Sequence, residues 1–121
     1  MANQMVSDAA QALRQDCPGA TPLPNSSCPI ENTLSVLRRR WAALVILELL
    51  HGPRSFNELA QNLGRISDKI LTERLTELTD ANVLHRKRTS GWPSRVRYSL
   101  TQRGHDLAAV LQAMRIWGST E

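Results

Sequence analysis

The stretch from Ser67 to Leu100 constrains this chain most, because an amphipathic helical pattern is followed at once by an alternating, cationic segment. At 100° per residue, one arc of the helix is mainly apolar and holds Ile70, Leu71, Arg74, Leu75 and Leu78. The opposite arc is polar and holds Lys69, Thr72, Glu73, Thr76 and Asp80. Short polar side chains on a helix can hydrogen-bond to base edges in the major groove, so the pattern predicts a surface that reads DNA.

The cationic segment predicts a β-hairpin that lies on phosphates. Its five cations, with no acidic residue between them, are Arg86, Lys87, Arg88, Arg95 and Arg97. A strand begins near Val83 and Leu84, and the composition of Thr89–Ser94 predicts a turn. Alternating apolar residues from Val96 to Leu100 predict a second, half-buried strand. We expect one apolar and one basic face; a solvated surface without a partner is the alternative.

A second helix precedes the reading helix. Ser55 and Glu58 have capping-box spacing and open a helix over residues 55–62, and Gly64 marks the turn that follows. Ser67 caps the next helix, which runs to about Ala81. Two short helices joined by a tight turn form a helix-turn-helix. The fold class is therefore mainly α with a small β-hairpin, a winged helix-turn-helix.

The bulk properties allow one small domain with an anionic partner. The chain has 121 residues, a net charge of +4 and a pI of about 9.8. Residues 1–27 are polar and Pro-containing and predict a flexible N-terminal arm, with a short helix permitted near Val6–Gln15. Residues 28–121 predict the folded domain. No apolar run spans a bilayer and no signal peptide is evident, so we expect a cytoplasmic protein without membrane contact.

Cys28 is the candidate reactive residue. Cys28-Pro29-Ile30-Glu31 places its thiol at a helix N-cap, where the helix dipole favours the thiolate. The alternative is an inert, half-buried residue at a cap. In a reducing compartment, a permanent disulfide with Cys17 is not expected. No zinc-like spacing of Cys and His occurs, and we expect neither a metal nor another cofactor.

The apolar stripes at both ends of the domain predict a homodimer. The first helix contributes Ile30 and Leu34. The last helix, capped by Thr101, contributes Leu107, Val110, Leu111, Met114 and Trp117. Packing within one chain is the alternative, but small DNA readers usually need two half-sites.

The chain resembles the HxlR-type family of MarR-related bacterial regulators over Cys28–Trp117. The residues that carry the resemblance are Cys28-Pro29, Trp41, Gly52-Pro53, Phe56, Glu58-Leu59, Ile66-Ser67, Leu71-Thr72-Glu73-Arg74-Leu75, Leu78, Pro93, Val96, Tyr98-Ser99-Leu100-Thr101, Gly104 and Trp117. The resemblance implies a cytosolic homodimer on an inverted-repeat operator, joined through terminal helices. Several members of the family sense oxidants or electrophiles through a cysteine at the position of Cys28.

The chain departs from the family pattern at three places. Arg38-Arg39-Arg40 stands where the family commonly has Gly-Gly-Lys, and Asn82 stands where it has Gly. The N-terminal arm is longer than usual and holds Cys17. A disulfide across a dimer would therefore join Cys28 to Cys28 or Cys17 of the other subunit; alkylation or a mixed disulfide with a small thiol are the alternatives.

The sequence thus predicts a regulator, more specifically a repressor controlled at Cys28, on double-stranded DNA. The residues expected to face the major groove are Ser67, Lys69, Thr72, Glu73 and Thr76. Arg74 lies at the border, where it can hold a phosphate or pair with an acid. Two reading helices would lie about 34–36 Å apart. A regulator with an inert Cys28 and a winged helix that binds only proteins are the competing functions. The histidines have no nucleophile at suggestive spacing, so catalysis is not expected.

Overall fold

The computed structural model describes residues 8–12, 15 and 28–120 and contains a two-stranded hairpin among helices. The elements from residue 29 onward are α1 (Pro29–Leu37), α2 (Ala42–Leu49), α3 (Phe56–Leu63), α4 (Asp68–Asp80), β1 (Leu84–Arg88), β2 (Val96–Leu100) and α5 (Gln102–Gly118). Residues 8–12 and 15 are helical, where the sequence permits a short helix; the rest of the predicted flexible arm lies outside the described residues. The predicted fold class is confirmed.

The chain divides into two compact units, with the boundary in the sequence between Arg38 and Arg39. In the first unit, α1 begins with Pro29 at its first turn and Cys28 at its N-cap, as predicted. The backbone N–H of Asn32 donates to the carbonyl of Cys28 at 3.1 Å, which closes the first turn. Cys28 itself is buried.

The second unit is built around an aliphatic core, because α2 carries apolar residues on every side. The core side chains of the helices include Val45, Ile46, Leu49, Leu59, Leu71, Leu75 and Leu78. Trp41 lies at the N-cap of α2 with a left-handed φ of 78°. Leu44 and Leu47, on the same helix, remain 47% and 42% exposed.

The helix-turn-helix forms as its capping residues predict. Ser55 and Glu58 make a complete reciprocal capping box at the start of α3. Ser67 caps α4, since its Oγ accepts a hydrogen bond from the N–H of Ile70 at 3.1 Å. Asn82 follows α4 with a φ of 61°, a conformation that asparagine tolerates.

The hairpin and α5 close on this unit through a few specific contacts. β1 and β2 pair antiparallel, and the backbone of Arg54 pairs with Tyr98 beside them. Thr101 caps α5 through Gly104, and its hydroxyl lies 2.7 Å from the carbonyl of Asn82. Glycine is required at 104, because a Cβ there would overlap the carbonyl oxygen of Val83.

Candidate nucleic-acid interface

The polar arc of α4 forms an exposed ridge. Lys69, Thr72 and Thr76 are exposed and Glu73 is half-buried, so the predicted reading residues reach solvent from one side of one helix. The hydroxyl of Thr72 donates to the carbonyl of Asp68 at 2.8 Å. Its oxygen is thereby left to accept, and its methyl to contact apolar groups.

One flank of this ridge faces the hairpin across a groove of about 280 Å³. The residues that line it are Thr72, Leu75, Thr76, Thr79, Asp80, Arg86 and Tyr98. The β1–β2 hairpin is the wing of the fold, and the groove brings its cation Arg86 beside the exposed ridge of α4. The sequence did not assign Tyr98 to the site, because strand alternation indicated only an inward side chain. The signal that could have indicated it is Arg86, the cation that pairs with Tyr98 across the hairpin.

The register of the hairpin corrects the prediction of one apolar and one basic face. Directly opposed residues of an antiparallel pair share a face, and Arg86 pairs with Tyr98 while Arg88 pairs with Val96. Lys87 and Arg97 share the other face. The prediction failed because the alternation was read from β2 alone. In β1, Arg86 and Arg88 lie on the same face as the buried Leu84, in the part of the strand that extends away from the core.

The five predicted wing cations are all exposed, but they differ in their contacts. Arg97 donates to the carbonyl of Pro53 at 3.2 Å and lies 3.6 Å from the carboxylate of Glu58. No ion pair occurs at Arg86, Lys87, Arg88 or Arg95 among the residues that the structure describes. Trp92, near the hairpin tip, is 96% exposed and so does not cover the hairpin.

Glu58 links the capping box to the wing electrostatically. Its pKa is lowered, first by the hydrogen bond from the Ser55 backbone N–H and then by that with the Ser55 side chain. The positive charges of Arg97 and Arg54 lower the pKa further, while desolvation acts in the opposite direction. The start of α3 is therefore tied to the charged state of this carboxylate.

Arg74 pairs with an acid, which was one of the two roles open to it. Its side chain is 9% exposed, and its Nη1 donates to both carboxylate oxygens of Glu77, at 2.9 and 2.7 Å. Its Nε donates to the carbonyl of Arg40 at 2.9 Å. A guanidinium held in this way fixes α4 to the turn before α2.

Cys28 is disulfide-bonded in the structure, against the expectation of free thiols. The chain has one other cysteine, Cys17, which lies outside the described residues. A bond within one chain can therefore join Cys28 to Cys17 alone. The N-cap position predicted for Cys28 is observed, and its side chain makes no capping hydrogen bond.

The residues predicted for dimerisation separate into exposed and buried groups. The exposed ones are Ile30, Leu34, Val110, Met114 and Trp117, the last at 80%. Val110, Ala113, Met114 and Trp117 line an open apolar groove of about 600 Å³ on α5. Leu111 is instead buried in the core of its own chain, and Leu107 is half-buried.

Neither a metal-binding cluster nor a membrane-spanning helix is found in the part of the chain that the structure describes. No three of its His, Cys, Asp or Glu side chains are grouped so as to hold a metal ion. No helix within 8–12, 15 and 28–120 has the length and apolarity needed to cross a membrane.

A model of the HxlR-like helix-turn-helix family matches residues 36–121, well over half of the chain. The chain belongs to the HxlR-like helix-turn-helix family. Cys28 precedes the matched residues, so membership itself does not cover it. HxlR-like membership confirms a winged-helix transcriptional regulator rather than an enzyme.

Two known regulators in particular are similar to this chain. The transcriptional regulator YodB of Bacillus subtilis (strain 168) is 39% identical over 94 residues, which cover 77% of this chain and 84% of YodB. The reduced form of YodB has a TM-score of 0.71 at 40% identity, over 74% of this chain and 89% of that one. The redox regulator HypR in its reduced form has a TM-score of 0.69 at 32% identity, over 74% and 89% of the two chains.

Proposed function

We propose that this protein is a cytoplasmic, homodimeric repressor that binds an inverted-repeat operator and is controlled by thiol oxidation or alkylation at Cys28. The observation that carries the DNA-binding part is the exposed polar ridge of α4 beside an exposed cationic hairpin. Such a ridge fits the major groove, and such a hairpin fits the flanking phosphates.

Each ridge residue has a distinct role in the proposed reading of bases. Lys69 donates to guanine, while Glu73 accepts from the amino group of cytosine and repels phosphates, so it serves selectivity more than affinity. The acceptor oxygen of Thr72 suits an amino group of adenine or cytosine, because its hydroxyl proton is already donated to Asp68. Ser67 and Thr76 complete the proposed surface at the start and middle of the helix.

The wing supplies affinity without reading sequence. The proposed phosphate contacts are Arg86, Lys87, Arg88, Arg95 and Arg97. Because the cations lie on both faces of the hairpin, it can be approached by phosphates on either side. Arg97 is the weakest of the set, since Pro53 and Glu58 already occupy its guanidinium.

The exposed apolar side chains support a homodimer. Met114 and Trp117 on α5 are 50% and 80% exposed in the single chain. Exposed apolar patches of this kind mark surfaces that a partner covers. Every residue of α2 except Glu48 is apolar, yet Leu44 and Leu47 are left uncovered, which also fits burial against a second chain. Two subunits would present two ridges to two half-sites.

The disulfide at Cys28 supports thiol control, and so do the relatives. YodB has been solved after diamide treatment and with bound quinone, and HypR in an oxidised form. In the proposed step, the thiols of Cys28 and Cys17 form one S–S bond and release two protons and two electrons. An oxidant such as diamide accepts both and becomes a hydrazine. A quinone would instead add to the thiolate as an electrophile, with no electrons leaving the protein.

The test is DNA binding to the chain's own upstream region, followed by fluorescence anisotropy with and without diamide. Wild type is compared with Cys28→Ser and Cys17→Ser, and dithiothreitol tests reversal. Intact mass without reductant identifies the product, since an intrachain disulfide lowers the mass by about two hydrogens and an interchain one doubles it.

Each outcome decides one part of the proposal. Oxidant that releases wild type but not Cys28→Ser supports a cysteine switch. If both bind and neither responds, Cys28 is inert and the regulator answers to a ligand, a partner or its own abundance. If no salt-dependent DNA binding is found, the winged helix is a protein-binding module.

A further inference from the structure

The run of three arginines at positions 38–40 brings Arg39 beside α4. The Nε of Arg39 lies 4.0 Å from a carboxylate oxygen of Glu77. The backbone of the next residue, Arg40, is held to α4 by the buried guanidinium of Arg74. The turn is thus fixed against the helix, while the side chains of Arg39 and Arg40 remain exposed.

The side chain of Arg39 and the backbone of Arg40 lie on the flank of α4 away from the wing. The wing groove is lined by Thr72, Thr76 and Thr79, whereas Arg39 approaches Glu77. Glu77 and Thr79 are two residues apart, which corresponds to a rotation of about 200° around the helix axis, or about 160° measured the shorter way round. The reading ridge lies between them.

We propose that Arg39 and Arg40 form a second phosphate-binding surface, which grips the DNA strand on the side of the major groove opposite the strand held by the wing. A helix about 10–12 Å across fills a major groove about 12 Å wide, so the phosphate walls come close to both of its flanks. In this arrangement, the wing contacts the phosphates on one side of the major groove, and Arg39 and Arg40 contact those on the other side. This inference rests on the proposed DNA reading by α4.

The local charges leave Arg39 available for a phosphate. Both oxygens of Glu77 already accept from Nη1 of Arg74, at 2.9 and 2.7 Å. Arg39 makes only the 4.0 Å approach, with its side chain 52% exposed, and a pair of that kind contributes little to stability. Replacing the Arg39–Glu77 approach with a contact from Arg39 to a phosphate therefore costs little stability. The guanidinium of Arg40 lies 5.6 Å from the centre of the Trp41 ring, which orients it without neutralising it.

The experiment measures the affinity of the full chain for its upstream fragment from 50 to 300 mM KCl. Variants are the double Arg39→Ala/Arg40→Ala, the charge-keeping Arg39→Lys/Arg40→Lys, Arg86→Ala in the wing, and Arg115→Ala as a matched exposed cation on α5. Each lost phosphate contact lowers the slope of log affinity against log salt by about 0.9. We expect the double alanine variant to lower it by about 1–2, equally on an unrelated duplex, and the lysine variant to restore most of it.

A scan with neutral methylphosphonates locates the contacts. Wild type should lose affinity for substitutions on both walls of the groove, and the double alanine variant only on the wall of the wing. Arg86→Ala, which removes one of the five wing cations, should keep the sensitivity of wild type on the opposite wall. A double alanine variant that folds and keeps the slope and scan of Arg115→Ala overturns the inference. If wild type itself shows no salt-dependent binding, the proposed function fails instead.

Discussion

Arg74 in the middle of α4 donates from its Nε to the backbone carbonyl of Arg40, 34 positions earlier, at 2.9 Å. The same guanidinium makes two hydrogen bonds to Glu77. A residue that the helical pattern places at the edge of the proposed reading surface therefore holds that surface in place. Its loss should damage the fold before it damages sequence preference.

Replacing Arg74 with alanine should lower the free energy of unfolding by about 2 kcal/mol, since hydrogen bonds to charged groups contribute about 1.5–3 kcal/mol. The variant also leaves the Glu77 carboxylate without its nearest cation and the Arg40 carbonyl without its donor. Urea unfolding followed by circular dichroism measures the change. Arg39→Ala, which removes only a 4.0 Å approach to the same carboxylate, should shift the midpoint far less. Equal losses in the two variants would contradict a positioning role for Arg74.

Lys69→Ala should change which sequences are bound, because Lys69 lies on the exposed ridge of α4. Loss of a base contact costs about 1–3 kcal/mol at one base pair and relaxes the preference there. Competition among operator variants with single base changes measures it. Arg88→Ala, in the wing, should instead weaken all duplexes alike. Unchanged preference in the Lys69 variant would mean that the ridge has been assigned to the wrong face.

Gly104→Ala should destabilise the protein, whereas Gly118→Ala, in the same helix, should not. A Cβ at 104 would meet the Val83 carbonyl and the Leu100 side chain, but at 118 nothing lies within 4 Å. Overpacking of this kind costs about 1–3 kcal/mol. Alanine at 118 removes a helical glycine, which is neutral or stabilising by up to about 1 kcal/mol. Thermal unfolding of both variants provides the comparison.

The fold followed from the sequence because its signals are local. The Ser55–Glu58 capping box and the Ser67 cap depend on neighbours within one turn, and both form as predicted. The prediction of a single basic face for the wing was wrong, because the face of each cation depends on which residue of β1 opposes which residue of β2. The pairing of Arg74 with Arg40 joins residues far apart in the chain, and no periodicity encodes such a contact.

Met114→Glu should reduce association of the chain with itself. Met114 is half exposed in the apolar groove of α5, and a buried carboxylate at an interface would be unpaired. Gln112→Glu, an exposed position on the same helix, adds the same charge outside that groove and serves as control. Sedimentation should give a lower mass for the Met114 variant alone. A monomeric wild type, or a dimeric Met114→Glu, would remove α5 from the proposed interface.

The stability of α3 should fall in acid through Glu58. Its folded pKa is lowered from 4.5, first by the Ser55 backbone hydrogen bond, so the unfolded state binds the proton more readily than the folded state. The contribution of Glu58 is therefore present above pH 4.5 and is lost as the pH falls from there through the lowered folded pKa. Glu58→Gln keeps the capping hydrogen bond but cannot titrate, so it should flatten the loss of stability below about pH 5. Urea midpoints from pH 3 to 7 measure the difference, and identical curves for wild type and variant would show that other carboxylates cause the acid loss.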